Sequence, residues 1–166
     1  MDKTVLNKTV YIIFNKEASV LNHPNNILLS VRGIIKFYDQ YMEAVRIQYQ
    51  LSHIEITIIS FLHNHPGRDT ARDICEMRML PKGNVSQGVE SLIQKGLLFR
   101  TPDEQDRRRI HLSLTESSIP IVQEIEHSKE EFAKELFHGL TAEEIALYRK
   151  ITDTIVENTK KGLERK

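Results

Sequence analysis

The sequence predicts a mainly α protein with a small β-wing, and three observations carry that expectation. Long stretches near both ends repeat apolar residues every three or four positions. Two shorter helical stretches, separated by Pro81, lie between them. After Lys95-Gly96 the period falls to two across Ile110, Leu112 and Leu114. Spacings of three and four mark an amphipathic helix, and strict alternation marks a half-buried strand.

The elements follow in order. Residues 26–49 place Leu28, Val31, Ile34, Ile35, Tyr38, Tyr41, Met42, Val45 and Tyr49 on one stripe, with Pro24 and Asn25 as the start. Ser52-His53-Ile54-Glu55 is a capping box, in which the serine oxygen and the glutamate each satisfy a free N–H. Its helix runs through Ile58, Phe61 and Leu62 and stops at His65-Pro66-Gly67. Thr70, with Asp73 three residues on, opens a short helix ending near Pro81. Residues 82–95 form the next helix, in which Val85, Val89 and Leu92 face inward, and Gly96 is its C-terminal stop. Leu97-Leu98-Phe99 is a strand, Thr101 to Asp106 a polar turn, and Ile110 to Leu114 the returning strand. Ile119 to Phe137 is helical again, and Thr141-Ala142-Glu143-Glu144 caps a last helix through Ile155. Residues 1–22 stay open: Leu6, Val10, Ile13 and Leu21 fit a helix stripe, but the β-branched content weighs against one.

Two short helices followed by a hairpin, with long helices on either side, describe a winged helix-turn-helix. The apolar stripes of the long terminal helices need a partner, and two-fold pairing of identical chains is the usual solution. The expected division is 1–50 as an N-terminal dimerisation segment, 51–115 as the winged lobe, and 116–166 as C-terminal dimerisation helices.

Composition excludes several classes. A single cysteine, Cys75, rules out a disulfide within the chain and a cysteine-rich zinc site. Cys75 is expected to be a buried, inert thiol. His63 and His65 are two apart and His53 lies ten before His63, so no compact helical His/Glu set forms, and no metal or cofactor is expected. Glycine-rich phosphate loops and nucleophile elbows are absent, so the chain is not expected to be an enzyme. No run reaches the roughly 20 apolar residues of a membrane span, and the patch from Val10 to Phe14 is too short for a signal sequence. The expected location is the cytoplasm. Net charge is zero, with 23 basic and 23 acidic side chains. Residues 66–114 nonetheless carry nine basic against seven acidic groups, and residues 115–166 eight against eleven.

The sharpest motif is Asp106-Arg107-Arg108-Arg109-Ile110-His111-Leu112-Ser113-Leu114-Thr115. Asp, one residue, Arg, five residues and then Leu-Thr resembles the wing of the MarR family of bacterial transcription regulators. The matching positions are Asp106, Arg108, Leu114 and Thr115, with Asp103 and Lys95-Gly96-Leu97-Leu98 agreeing on either side of β-strand onset. The resemblance covers roughly residues 28–160. It implies double-stranded DNA as partner, a homodimer, and a small-molecule effector that changes the spacing of the two motifs. It implies a repressor on a pseudo-palindromic operator. Arg108 would enter the minor groove, where negative potential is enhanced, and Asp106 would orient its guanidinium or brace the wing. Arg107 and Arg109 would meet phosphate or solvent. On the recognition helix Lys82, Asn84, Ser86 and Gln87 would face the major groove, where Asn and Gln match adenine and Lys matches guanine or phosphate. Arg68 and Arg72 are candidates for phosphate contacts, and His111 is placed near DNA.

The chain departs from the family pattern at Arg78, Met79, Pro81, Gln87 and Gly88. These departures bear on which bases are read more than on fold. Two other functions stay open: a winged protein-interaction module that has lost specific DNA binding, and a metal or small-ligand sensor.

Overall fold

The computed structural model describes residues 27–165. The expectations for residues 1–22, and for Pro24 and Asn25 as a helix start, lie outside that range. The chain falls into two compact units, residues 1–40 and 41–166. The described part of the first unit is the opening of helix α1 (Ile27–Tyr49), where Ile27, Leu28, Leu29, Val31 and Ile35 are exposed.

In the second unit α1 ends with Met42 and Val45 fully buried. Helices α2 (His53–Asn64), α3 (Ala71–Arg78) and α4 (Lys82–Gln94) follow. Strands β1 (Leu98–Pro102) and β2 (Ile110–Leu114) then pair antiparallel, with Leu98 opposite Leu114 and Pro102 opposite Ile110. A single 3-10 turn (Glu116–Ser118) leads into α5 (Ile119–Leu136), and α6 (Ala142–Glu164) closes the described chain. The mainly α protein with a small β-wing is therefore present, as a winged helix-turn-helix between long terminal helices.

Local chemistry sets the boundaries. Ser52, Thr70 and Thr141 each form a reciprocal capping box, with Glu55, Asp73 and Glu144 as partners. Each box satisfies two otherwise orphaned donors at a helix start. Val85, Val89 and Leu92 of α4 are buried, as are Ile56, Ile58, Ile59 and Phe61 of α2 and Ile74 of α3, the two helices that α4 packs against. Thr115 closes the base of the hairpin: its N–H donates to Leu97 O at 3.1 Å and its hydroxyl to Gly96 O at 2.7 Å.

Two boundaries differ from the sequence-based expectation. Thr101 and Pro102, assigned there to the turn, pair with His111 and Ile110. Pro102 sits on the last rung, where a missing N–H is tolerated. The last helix runs beyond Ile155 to Glu164.

The departures around the helix turn acquire physical reasons. Met79 ends α3 in the left-handed conformation, φ 51°, which glycine usually supplies. The arrangement survives without glycine because the N–H groups of Met79 and Leu80 both donate to Cys75 O. Arg78 is exposed, and its guanidinium lies 5.5 Å from the centre of the Phe61 ring, covering an apolar face as an aliphatic residue would. Gly88 faces the core: a Cβ there would lie 2.7 Å from Ile58 Cδ1 and 3.2 Å from Ile54 Cγ1. The two β-branched side chains of α2 occupy the room that a larger residue on α4 would need.

That complementarity makes a double-mutant prediction. Gly88→Ala is expected to destabilise by about 1–3 kcal/mol through overpacking, despite its better helix propensity. Ile58→Val removes the obstructing methyl and alone costs about 0.5–1.5 kcal/mol. The double variant is expected to be more stable than the sum of the singles by at least about 1 kcal/mol in urea denaturation. Strict additivity would contradict the steric account.

Candidate nucleic-acid interface

The turn joining β1 and β2 is built by two aspartates. Asp103 Oδ1 accepts the backbone N–H groups of Gln105 and Asp106, both at 2.8 Å. Asp106 Oδ1 accepts the N–H of Arg108 at 3.1 Å, and Asp106 O accepts that of Arg109 at 2.8 Å. Asp103 N–H donates back to Arg109 O at 2.9 Å. Short acidic side chains are favoured in turns because they bond local backbone in this way. The turn is thus held by nested backbone bonds and leaves its arginine side chains outside.

Asp106 consequently meets Arg108 through the main chain. Among the described residues no ion pair joins their side chains, so of the two roles the sequence offered for Asp106, the geometry has it brace the turn. Arg107, Arg108 and Arg109 are all exposed, and no ion pair among the described residues neutralises them. Asp103, Glu104 and Asp106 balance the three arginines in formal charge, but the two aspartates turn carboxylate oxygens onto the backbone and leave the three guanidinium groups facing outward.

An open cleft of about 670 Å³ separates this turn from the start of α3. Arg108, Arg109 and Asp106 line it from the wing, and Arg68, Arg72, Asp73 and Glu76 from the other side. The structure thus brings Arg68, Arg72, Asp106 and Arg108 to one place. Arg68 and Arg72 are tied locally, to Asp73 at 3.5 Å and to Glu76 at 2.6 Å. Arg107 is exposed at the tip and does not line the cleft.

Lys82, Asn84, Ser86 and Gln87 lie on the exposed face of α4, opposite the buried Val85, Gly88, Val89 and Leu92. Pro81 occupies the N-cap with no side-chain capping bond, so the first turn of α4 keeps donors available. An uncapped helix start next to Lys82 suits an anion. Glu90, about two turns further on the same helix, pairs with Arg100 of β1, which fastens wing to helix.

The mounting of α4 depends on a buried carboxylate that the sequence showed only as a cap. Glu55 is 3% exposed. Lys95 Nζ lies 2.7 Å from it, Ser91 donates at 2.8 Å, and the Ser52 N–H and hydroxyl each donate at 2.7 Å. Burial alone pushes its pKa up, but the four donors, Lys95 foremost, outweigh burial and lower it from 4.5 to about 2. Lys95 also donates to Gln50 O at 2.7 Å, joining the end of α4 to the α1–α2 turn.

His111 was expected near DNA. In the structure it bridges two aspartates: Nδ1 lies 2.8 Å from Asp69 Oδ1 and Nε2 3.0 Å from Asp103 Oδ2. The adjacent Leu112 N–H donates to Asp69 O at 2.7 Å. Asp69 was not singled out from the sequence, because its partner lies 42 residues away. The His111 contact, followed by the backbone bonds from Asp106 and Gln105, holds the Asp103 carboxyl well below the usual range. Cys75 is half-buried, and among the described residues no cluster of three or more His, Cys, Asp or Glu is placed to hold a metal. No described helix is long and apolar enough to cross a membrane.

Comparison with known proteins fits this geometry. The MarR family model matches residues 49–109, from the end of α1 through the arginine turn. Among solved structures, the S. aureus MepR–DNA complex is 22% identical with a TM-score of 0.69, over 80% of this chain and 98% of that one. A MarR protein from Peptoclostridium difficile is 19% identical with a TM-score of 0.73, over 82% and 88%. The crystal structure of MarR is 22% identical with a TM-score of 0.62, over 81% and 96%. The family consists of transcription regulators rather than enzymes. The family match falls on the helix-turn-helix and wing just described, and the same fold recurs across these structures, so this part of the chain is similar to the MarR family of winged helix-turn-helix transcription regulators.

Proposed function

We propose that the chain is a DNA-binding transcription regulator that works as a homodimer, represses from a pseudo-palindromic operator, and responds to a small-molecule effector. The carrying observation is the turn 103–109, whose backbone is locked by Asp103 and Asp106 while Arg107, Arg108 and Arg109 stay exposed and face outward. Arg108 enters the minor groove. Lys82, Asn84, Ser86 and Gln87 on the exposed face of α4 read the major groove, and Arg68, Arg72 and Arg107 meet phosphates. The DNA-bound state of the similar S. aureus MepR supports this placement.

The dimer rests on α1 and α6, with residues 1–50 and 116–166 serving assembly and 51–115 serving DNA. Tyr148, Ile151 and Ile155 recur every three or four residues along α6 with Leu147 beside them, and all are exposed in one chain. No residue of α6 is buried there. Such a stripe needs a partner surface. Two chains related by a two-fold axis place two recognition helices one helical turn of DNA apart, about 34–36 Å. An effector acts only through different affinity for the two spacings of these helices.

Footprinting on DNA upstream of the protein's own gene tests the arrangement. Two protected half-sites about one turn apart support it, and a single or featureless protection contradicts it. Sedimentation tests the assembly. Each buried isoleucine is worth about 1.5–3 kcal/mol, so Ile151→Asp with Ile155→Asp is expected to weaken the dimer by more than about 100-fold. An unchanged sedimentation coefficient at micromolar concentration would remove α6 from the interface.

A further inference from the structure

We propose that His111 is the positioning residue of the wing: as an imidazolium it clasps the arginine turn to the loop before α3 by donating to Asp69 and Asp103 at once. The inference rests on the DNA-binding reading for its consequence but on geometry alone for its mechanism.

A neutral imidazole carries one N–H and one lone pair. It can donate to one carboxylate, and then turns a lone pair toward the other. Both ring nitrogens of His111 lie within hydrogen-bond distance of carboxylate oxygens, at 2.8 and 3.0 Å. That arrangement is satisfied on both sides only when the ring holds two protons. The two anchors belong to different parts of the lobe. Asp69 lies in the loop before α3, where its carbonyl also accepts the Leu112 N–H. Asp103 is the residue whose other oxygen organises Gln105 and Asp106 in the turn. The clasp therefore sets how the turn bearing Arg107, Arg108 and Arg109 stands over the cleft opposite Arg68 and Arg72.

The charged groups facing the ring are Asp69 from the loop, Asp103 from the end of β1, and Arg109 from the approach to β2. Arg68, next to Asp69, is engaged by Asp73. The two aspartates raise the His111 pKa above its ordinary value, against burial and the Arg109 charge. The sign follows. For a raised histidine the stabilisation is complete below the unfolded value, about 6.5, and is lost as pH rises through the folded value. The clasp is closed below that unfolded value and opens as pH rises through the folded one. A released wing must be ordered again on binding, so DNA affinity declines over the same interval. A single titration coupled by one pKa unit changes affinity roughly tenfold.

Two measurements on the full-length protein test this. NMR would follow the His111 ring and the backbone amides of Gln105, Asp106 and Arg108 from pH 5.5 to 9. Fluorescence anisotropy would follow binding of the upstream duplex across the same range for wild type, His111→Gln and His111→Arg. The clasp predicts amide shifts with the His111 midpoint, above 6.5. It predicts a roughly tenfold fall in wild-type affinity through that midpoint. His111→Gln, which can donate to one side only, is expected to bind weakly and without that pH step. His111→Arg, a permanent cation with several donors, is expected to bind tightly and without the step. Wing amides that ignore the His111 titration, or an equal pH step in His111→Gln, overturn the proposal. If the amides track His111 while the protein shows no preference for the upstream duplex over random DNA, the clasp stands and the DNA-binding reading falls.

Discussion

Replacing Arg108 with alanine is expected to weaken binding to the operator by about 1–3 kcal/mol, roughly tenfold to 100-fold, while leaving thermal stability unchanged. The stability clause follows from position. The Arg108 side chain is exposed and carries no ion pair among the described residues, and only its backbone N–H serves the turn. Alanine keeps that N–H, so Asp106 still braces the wing. The loss falls on DNA alone, and on both half-sites of a symmetric complex. Arg107→Ala is the control: a phosphate contact at the tip should weaken binding to all sequences alike and lower the salt slope by about one. Equal affinity of Arg108→Ala and wild type would mean that the wing does not enter a groove.

The largest effect on stability is expected at Glu55. Its carboxylate is buried and accepts from Lys95, Ser91 and twice from Ser52, so it joins the starts of α2 and the end of α4. Its pKa of about 2, against 4.5 ordinarily, gives the sign. A lowered carboxylate stabilises above its unfolded value and loses that contribution as pH falls through the folded one. The contribution is present above about pH 4.5 and vanishes toward pH 2, with a size of about 2–3 kcal/mol. Glu55→Gln removes the charge, retains the volume and leaves Lys95, which is partly solvated and keeps its bond to Gln50 O, without a counter-charge. A Tm lower by about 5–10 °C at neutral pH is expected, with a shallower loss of stability between pH 4.5 and 2. Calorimetry as a function of pH reads both. An unchanged Tm and an unchanged acid profile would show that the four bonds do no more than offset burial.

The contrast between these residues explains what the sequence could reveal. The helices, the hairpin and the arginine turn were legible because each is encoded locally. Capping boxes at Ser52, Thr70 and Thr141 span three residues, the α4 core stripe spans one helix, and the wing motif lies in a ten-residue run. What escaped depends on residues far apart in sequence. Glu55 was visible as a cap, but its meeting with Ser91 and Lys95 spans some 36 to 40 positions. Asp69 and His111 are 42 apart, and neither residue type signals the other. Gly88 was visible only as a departure from the family pattern, and its reason is that Ile54 and Ile58 fill the space opposite it. Arg78 was likewise only a departure, and its guanidinium lies beside Phe61. Pro102 was assigned to the polar turn, and it sits on the last rung of a short hairpin, where a strand tolerates a missing N–H.

The central claim, that the braced arginine turn and the exposed face of α4 form a sequence-reading DNA surface, is tested most directly by salt-dependent anisotropy. The duplex upstream of the protein's own gene and a scrambled duplex of the same length would be titrated from 50 to 300 mM salt. The account predicts a preference for the upstream duplex of at least about 10³-fold, and a steep linear fall of log affinity with log salt as phosphate counterions are released. Equal affinity for the two duplexes, with a flat salt dependence, would contradict it.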